Sequence, residues 1–95
     1  MTKFKKDIYK IVSQIPKGSV LSYGEVARRA GHPGAARVVG TLMANNPFPK
    51  TKVPCHRVVR AEGRIGEYSG KGGRAGKERL LRAEGVFVKQ GRVII

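Results

Sequence analysis

Cys55 is the only cysteine in the chain, and it sits in "VPCHRVV" with Pro54 before it and His56 and Arg57 after it. A free thiol has a pKa of about 8.5, so it becomes a nucleophile near neutral pH only when a base or a positive field favours the thiolate. A histidine that takes the thiol proton, oriented in turn by a carboxylate, makes a Cys-His-acid relay. His56 is adjacent in sequence, and Glu84, in "LLRAEG", is the candidate third member. Spacing alone does not bring the three together. The competing reading is that Cys55 is a small buried hydrophobe.

Other chemistries have less to stand on. Cys55, His32 and His56 lack the paired spacing of a structural zinc site, so no metal and no cofactor is expected. One cysteine forms no internal disulfide, and an unpaired thiol persists in a reducing compartment, the cytoplasm or, in a eukaryote, the nucleus. The opening "MTKFKKDIYKIV" lacks the continuous apolar run of a signal peptide, and no segment is long enough to span a membrane. The chain has 20 Lys+Arg against 6 Asp+Glu, a net charge of +14, which points to a polyanionic partner, nucleic acid before a membrane surface.

The elements that must position Cys55 fit one domain over 1–95, mainly α with short strands. Phe4, Ile8, Ile11, Val12 and Ile15 recur at helical spacing behind Thr2, a candidate N-cap. "SYGE" reads as a capping box, Ser22 bonding the first turn and Glu25 reaching back, at the start of a short helix "YGEVARRA" that stops at Gly31. "GHPG" then turns the chain into a second helical run, "AARVVGTLMANN", and the pair reads as a helix-turn-helix.

Three prolines in "PFPKTKVP" make an irregular loop that delivers the chain to Cys55. "HRVVRAEGRIGEY" suggests two short strands around an Ala-Glu-Gly turn, "SGKGGRAG" a basic glycine-rich loop, "KERLLRAE" a last helix stopped by Gly85, and "VFVKQGRVII" a terminal hairpin.

With these motifs in order, "PCHRVV", preceded by "AARVVGTLMANNP" and followed by "GEYSG" and "LLRAEG", resembles the catalytic domain of the O6-alkylguanine-DNA alkyltransferases. The likeness runs from about Phe4 to Gly85 and implies a winged-helix-like domain containing the helix-turn-helix. It implies that double-stranded DNA containing O6-alkylguanine is the partner of a monomer that acts once, moving the alkyl group irreversibly to Cys55. His56 would deprotonate Cys55 through a water, and Glu84 would orient His56. Asn46 would hold the active-site turn. Tyr68, assisted by Lys77, would donate a proton toward guanine O6 as the alkyl group leaves, and the Ser69 backbone would also contact O6. The main-chain carbonyls of Cys55 and Val58 would read the guanine amine.

By the same likeness, Tyr23 and Arg37 form the base-flipping pair, the tyrosine crowding the phosphate backbone and the arginine filling the gap in the stack. Chemistry on an atom inside a duplex requires extrusion of the base, at a cost of a few kcal/mol. Ala35 and Ala36 beside Arg37 leave room to approach a minor groove only about 6 Å wide, although small residues also serve close helix packing. Tyr23 is on pattern alone equally a core aromatic.

The chain departs from the family in the basic "KTK" before Val53, in the expected lack of the family's N-terminal domain, and in a tail, 86–95, with no assigned role. Two other functions stay in view. One is the alkyltransferase-like lesion sensors, which recruit another repair pathway and often carry tryptophan where this chain has Cys55. The other, a helix-turn-helix regulator, needs base-reading side chains that Ala, Val and Gly do not supply.

Overall fold

The computed structural model describes residues 2–66, 68, 70 and 72–94. The first helix, α1 (Lys3–Ser13), starts where Thr2 Oγ1 accepts the Lys5 backbone N–H at 3.2 Å. It buries Ile8, Tyr9 and Val12 and ends two residues before Ile15, which stays in the core as the chain turns through Pro16.

A two-residue strand, β1 (Leu21–Ser22), leads directly into α2 (Tyr23–Arg29). Ser22 Oγ accepts the Glu25 N–H at 3.1 Å, which is half of the expected capping box. The other half is absent, because the Glu25 carboxylate is occupied by the side chains of Arg28 and Arg29. Gly31, at φ +86°, closes α2, and the turn through His32–Ala35 starts α3 (Ala36–Ala44). Val26 and Ala27 of α2 and Val39, Leu42 and Met43 of α3 pack into one core with α1, giving the helix-turn-helix its fixed crossing.

Beyond the proline loop, Cys55–Arg57 forms a single 3-10 turn that runs into β2 (Val58–Val59). The expected pair of strands around Ala-Glu-Gly is not a hairpin. β2 lies parallel to β1 instead, Leu21 opposite Val58 and Ser22 opposite Val59. Ala61–Gly63 is a tight turn with Glu62 (φ +62°) and Gly63 (φ +83°) both in the left-handed region, and Arg64 bridges to Arg92 at the far end of the chain. Successive strand residues face opposite sides. Accordingly Val58 enters the core with α1–α3, and Val59 enters a second cluster with Ile65, Leu81, Val86, Val88 and Val93.

The last helix, α4, spans Gly73–Ala83, so it begins inside the stretch expected to be a glycine-rich loop. Burial of Gly76, Lys77 and Leu81 against the rest of the molecule offsets the poor helix propensity of its glycines. The terminal hairpin pairs β3 (Val88–Lys89) with β4 (Arg92–Val93). Its two-residue turn places both Gln90 (φ +53°) and Gly91 (φ +73°) in the left-handed region, as a type I′ turn requires. Mainly helical, with short strands and a helix-turn-helix, the fold is of the class expected. No helix among the described residues is long and apolar enough to cross a membrane.

Candidate active site and nucleic-acid face

Cys55 lies at the start of the 3-10 turn and is 6 % exposed, with His56 behind it at 2 %. The turn is fixed from both sides. The Val53 carbonyl accepts the Cys55 N–H at 2.8 Å and Asn46 Nδ2 at 3.0 Å, while Asn46 Oδ1 accepts the Phe48 N–H at 3.0 Å. Asn46 therefore ties the end of α3 to the residues just before the thiol. The Cys55 carbonyl already accepts the Val58 N–H, and a carbonyl keeps a second lone pair for another donor.

His56 Nε2 lies 2.9 Å from Glu84 Oε2, at the C-terminal cap of α4. Nδ1 of the same ring is buried with no hydrogen-bond partner among the described residues. With one ring nitrogen committed to the carboxylate, Nδ1 is the ring nitrogen left open. Burial lowers the His56 pKa below its ordinary 6.5, the Glu84 carboxylate opposes this, and the charges of Arg57 and Lys50 reinforce it. The ring is therefore neutral at physiological pH, the state a base needs.

Arg57 joins this cluster although the sequence pointed to it least. Its Nε donates to Glu84 Oε1 at 3.0 Å, its Nη2 to Glu84 Oε2 at 2.7 Å, and its Nη1 to the Ile15 carbonyl at 2.8 Å. Burial pushes the Glu84 pKa up, but the hydrogen bonds from Arg57 and His56 outweigh it and hold the carboxyl at about 2. The signal available in the sequence was only adjacency, since Arg57 follows His56 directly. The "KTK" loop faces this arrangement too: Lys50 and Thr51, with Lys17, border a cleft of about 300 Å³ over His56, Arg57 and Glu84.

Tyr68 packs against the core cluster that contains Cys55. Burial first, and the negative charge of a Cys55 thiolate second, raise the Tyr68 pKa above 10.0, which keeps the phenol a proton donor. Gly70 is part of this arrangement, because a Cβ there would collide with the Tyr68 ring. Ser69 lies outside the described residues. Lys77 is fully buried, with Nζ 5.7 Å from the centre of the Tyr23 ring, so it lies between α4 and the helix-turn-helix.

Tyr23, the first residue of α2, and Arg37, in the first turn of α3, border one groove of about 540 Å³ together with Ala36, Gly40, Thr41 and Arg60. Arg37 is exposed and Tyr23 half-buried. Ala36 lines the groove, whereas Ala35 caps α3 and packs partly into the core, so the two small residues are placed differently. Val58 is fully buried, and its main chain pairs with Leu21. Two sites thus emerge, the Cys55–His56–Glu84–Arg57 cluster and the Tyr23–Arg37 groove. The β1–β2 ladder joins them, since β1 ends one residue before Tyr23 and β2 starts three residues after Cys55.

The family model for "6-O-methylguanine DNA methyltransferase, DNA binding domain" matches residues 3–86. The chain belongs to this family. Among its relatives, the methylated-DNA–protein-cysteine methyltransferase of Methanothermobacter thermautotrophicus is 46% identical over 88 residues, 93% of this chain and 47% of the relative. That of Mus musculus is 49% identical over 79 residues, 83% of this chain and 36% of the relative. The chain thus spans about half, or less, of the length of the curated relatives it matches.

Two solved structures of DNA complexes are similar. S. pombe Atl1, bound to damaged DNA containing O6-carboxymethylguanine, superposes with a TM-score of 0.82 at 37% identity, covering 100% of this chain and 90% of that one. Mycobacterium tuberculosis OGT in complex with DNA gives a TM-score of 0.80 at 43% identity, covering 88% of this chain and 50% of that one. The terminal hairpin lies beyond the residues that the 6-O-methylguanine DNA methyltransferase family model matches.

Proposed function

We propose that the domain, residues 1–95, binds duplex DNA with the Tyr23–Arg37 groove, extrudes an O6-alkylated guanine, and takes the alkyl group irreversibly on Cys55. The observation that carries this reading is the His56–Glu84 contact at 2.9 Å beside a buried thiol, with Nδ1 as the open ring nitrogen. Cys55 Sγ passes its proton through a water to His56 Nδ1 and attacks the alkyl carbon in line. The bond from that carbon to guanine O6 breaks as the sulfur–carbon bond forms. The electron pair released to the base is met by the phenolic proton of Tyr68, with Lys77 and the Ser69 backbone on the same side. Solvent then exchanges the imidazolium proton for the one that Tyr68 gave up, so protons balance. A thioether has no easy reverse step, so each molecule acts once.

Around the base, the Cys55 and Val58 carbonyls accept from the guanine amine, and Asn46 keeps the turn in register. Arg37 fills the place of the extruded base, and Tyr23 crowds the phosphates beside it. Ala35 and Ala36 let α3 approach a narrow minor groove.

The second reading is a lesion sensor that extrudes the base without transfer. It is favoured by the similarity to S. pombe Atl1, whose structure holds damaged DNA that still contains O6-carboxymethylguanine. Intact-mass spectrometry after mixing with a duplex carrying one O6-methylguanine separates the two. Transfer adds one methyl group, mapped to Cys55, and Cys55→Ala abolishes the gain while leaving DNA binding nearly unchanged. Binding with no mass change in the parent would establish the sensor instead.

A further inference from the structure

A second basic cleft, of about 460 Å³, lies between the Ala61–Gly63 turn, the start of α4 and the turn of the terminal hairpin. Arg60, Arg64, Arg74 and Arg92 all border it, together with Gln90 and Gly66. All four arginines are exposed, and no carboxylate lines the cleft among the described residues.

The cleft is a built feature rather than a chance meeting of side chains. The Ile65 N–H donates to the Gly91 carbonyl at 3.0 Å, and Arg64 and Arg92 face each other across a β-bridge. Gly63, at φ +83°, makes the approach possible, because a Cβ there would come within 2.6 Å of the Val93 carbonyl oxygen. Arg60, Arg64 and Arg92 bring like charge to one depression, and an anion there relieves their mutual repulsion. Guanidinium is also the side-chain group best matched to phosphate oxygens.

Continuity decides which phosphate. Arg60 borders both this cleft and the Tyr23–Arg37 groove. A Cβ placed on Gly66 would touch Arg60 Cγ at 2.9 Å and Tyr23 Oη at 3.1 Å, so Gly66 is where the two depressions meet. We infer that the terminal hairpin and the Ala61–Gly63 turn form a second nucleic-acid contact, in which Arg64 and Arg92 hold phosphodiesters of the same duplex that occupies the groove. This rests on the DNA-binding reading above and assigns a role to residues 88–93, which the family match does not include.

Binding of the whole chain to a fluorescent duplex, titrated at several salt concentrations, tests it. Each phosphate contact contributes about 0.9 to the slope of log K against log salt. The Arg64→Ala/Arg92→Ala pair is expected to reduce that slope by about 1.8. The Arg64→Lys/Arg92→Lys pair should restore most of it, and Lys5→Ala/Lys10→Ala on α1, which borders neither depression, should leave it nearly unchanged. Thermal melts of all variants show that they are folded.

A parent that fails to bind duplex DNA sinks both the DNA-binding reading and this inference. A parent that binds, with an unchanged slope in the alanine pair, overturns the inference alone. An equal loss in the α1 pair overturns it as well, since the effect would then be general charge. Loss of pyrophosphate binding by the arginine pair with an intact DNA slope would give the cleft to a small anion and likewise overturn the inference.

Discussion

Arg57 and Glu84 meet side-on, Nε against Oε1 at 3.0 Å and Nη2 against Oε2 at 2.7 Å, while the same Oε2 also faces His56. The carboxylate is thus positioned by the arginine before it can position the histidine. Because Arg57 also donates to the Ile15 carbonyl, the end of α4 is tied to the segment that follows α1.

Arg57→Ala should destabilise the fold at neutral pH and flatten its response to acid. The Glu84 pKa is depressed from 4.5 to about 2, so its contribution to stability is complete above the unfolded value and disappears as pH falls through the folded one. Without Arg57, burial outweighs what remains, the folded pKa rises toward or above the unfolded one, and the contribution is missing already at neutral pH. Thermal midpoints of parent and variant, measured from neutral pH down to about pH 2, should be furthest apart at neutral pH and converge as pH falls below 4.5. Parallel curves would show that Arg57 contributes nothing to the ionisation of Glu84.

Replacing His56 by alanine or Glu84 by glutamine should slow alkyl transfer at neutral pH, His56→Ala by about a hundredfold or more. Raising the pH toward the thiol's own value of about 8.5 should restore part of the rate in both, because solvent then supplies the thiolate. In the parent, the lowered His56 pKa keeps the base unprotonated to pH values below 6.5, so its rate should hold there. A variant pH-rate profile parallel to the parent's would remove the relay.

Arg37→Ala should weaken DNA binding modestly, with about one unit less salt slope. Transfer from a paired duplex should fall much further, since extrusion costs a few kcal/mol and the group that fills the gap is gone. The defect should shrink on a mismatched duplex and vanish on free O6-alkylguanine. Second-order rates on the three substrates decide, and equal losses on all would place Arg37 in the fold rather than in flipping.

Asn46→Ala removes two hydrogen bonds and leaves the Phe48 N–H unpaired at a half-buried position. A loss of about 1–3 kcal/mol in denaturant unfolding is expected. Transfer should slow as the turn before Cys55 loosens, and normal transfer at full occupancy of the folded state would limit Asn46 to stability.

Local signals were readable in the sequence where one residue decides the geometry. Thr2 and Ser22 cap their helices as their types suggest, Gly31 sits where φ must be positive, and the tail folds as a hairpin. The parallel pairing of β1 with β2 was not readable, because two-residue strands have no periodicity and their partners are far apart in the chain. The start of α4 was hidden because glycine disfavours helix locally, while burial of Gly76 and Lys77 overrides that preference. At the site, residue types announced a thiol, a base and an acid. The bidentate grip of Arg57 depends on a fold-level distance that adjacency in "CHR" does not encode.

The short β1–β2 ladder acts as a ruler between the groove and the thiol, and its graduations are main-chain atoms. Side-chain substitutions at Leu21, Ser22, Val58 or Val59 change packing or the cap of α2 but leave the amides and carbonyls that set the span in place. Only proline deletes a graduation, by removing an N–H. The spacing between Tyr23 and Cys55 is thereby insulated from most sequence drift, so the groove can vary its surface without shifting relative to the thiol.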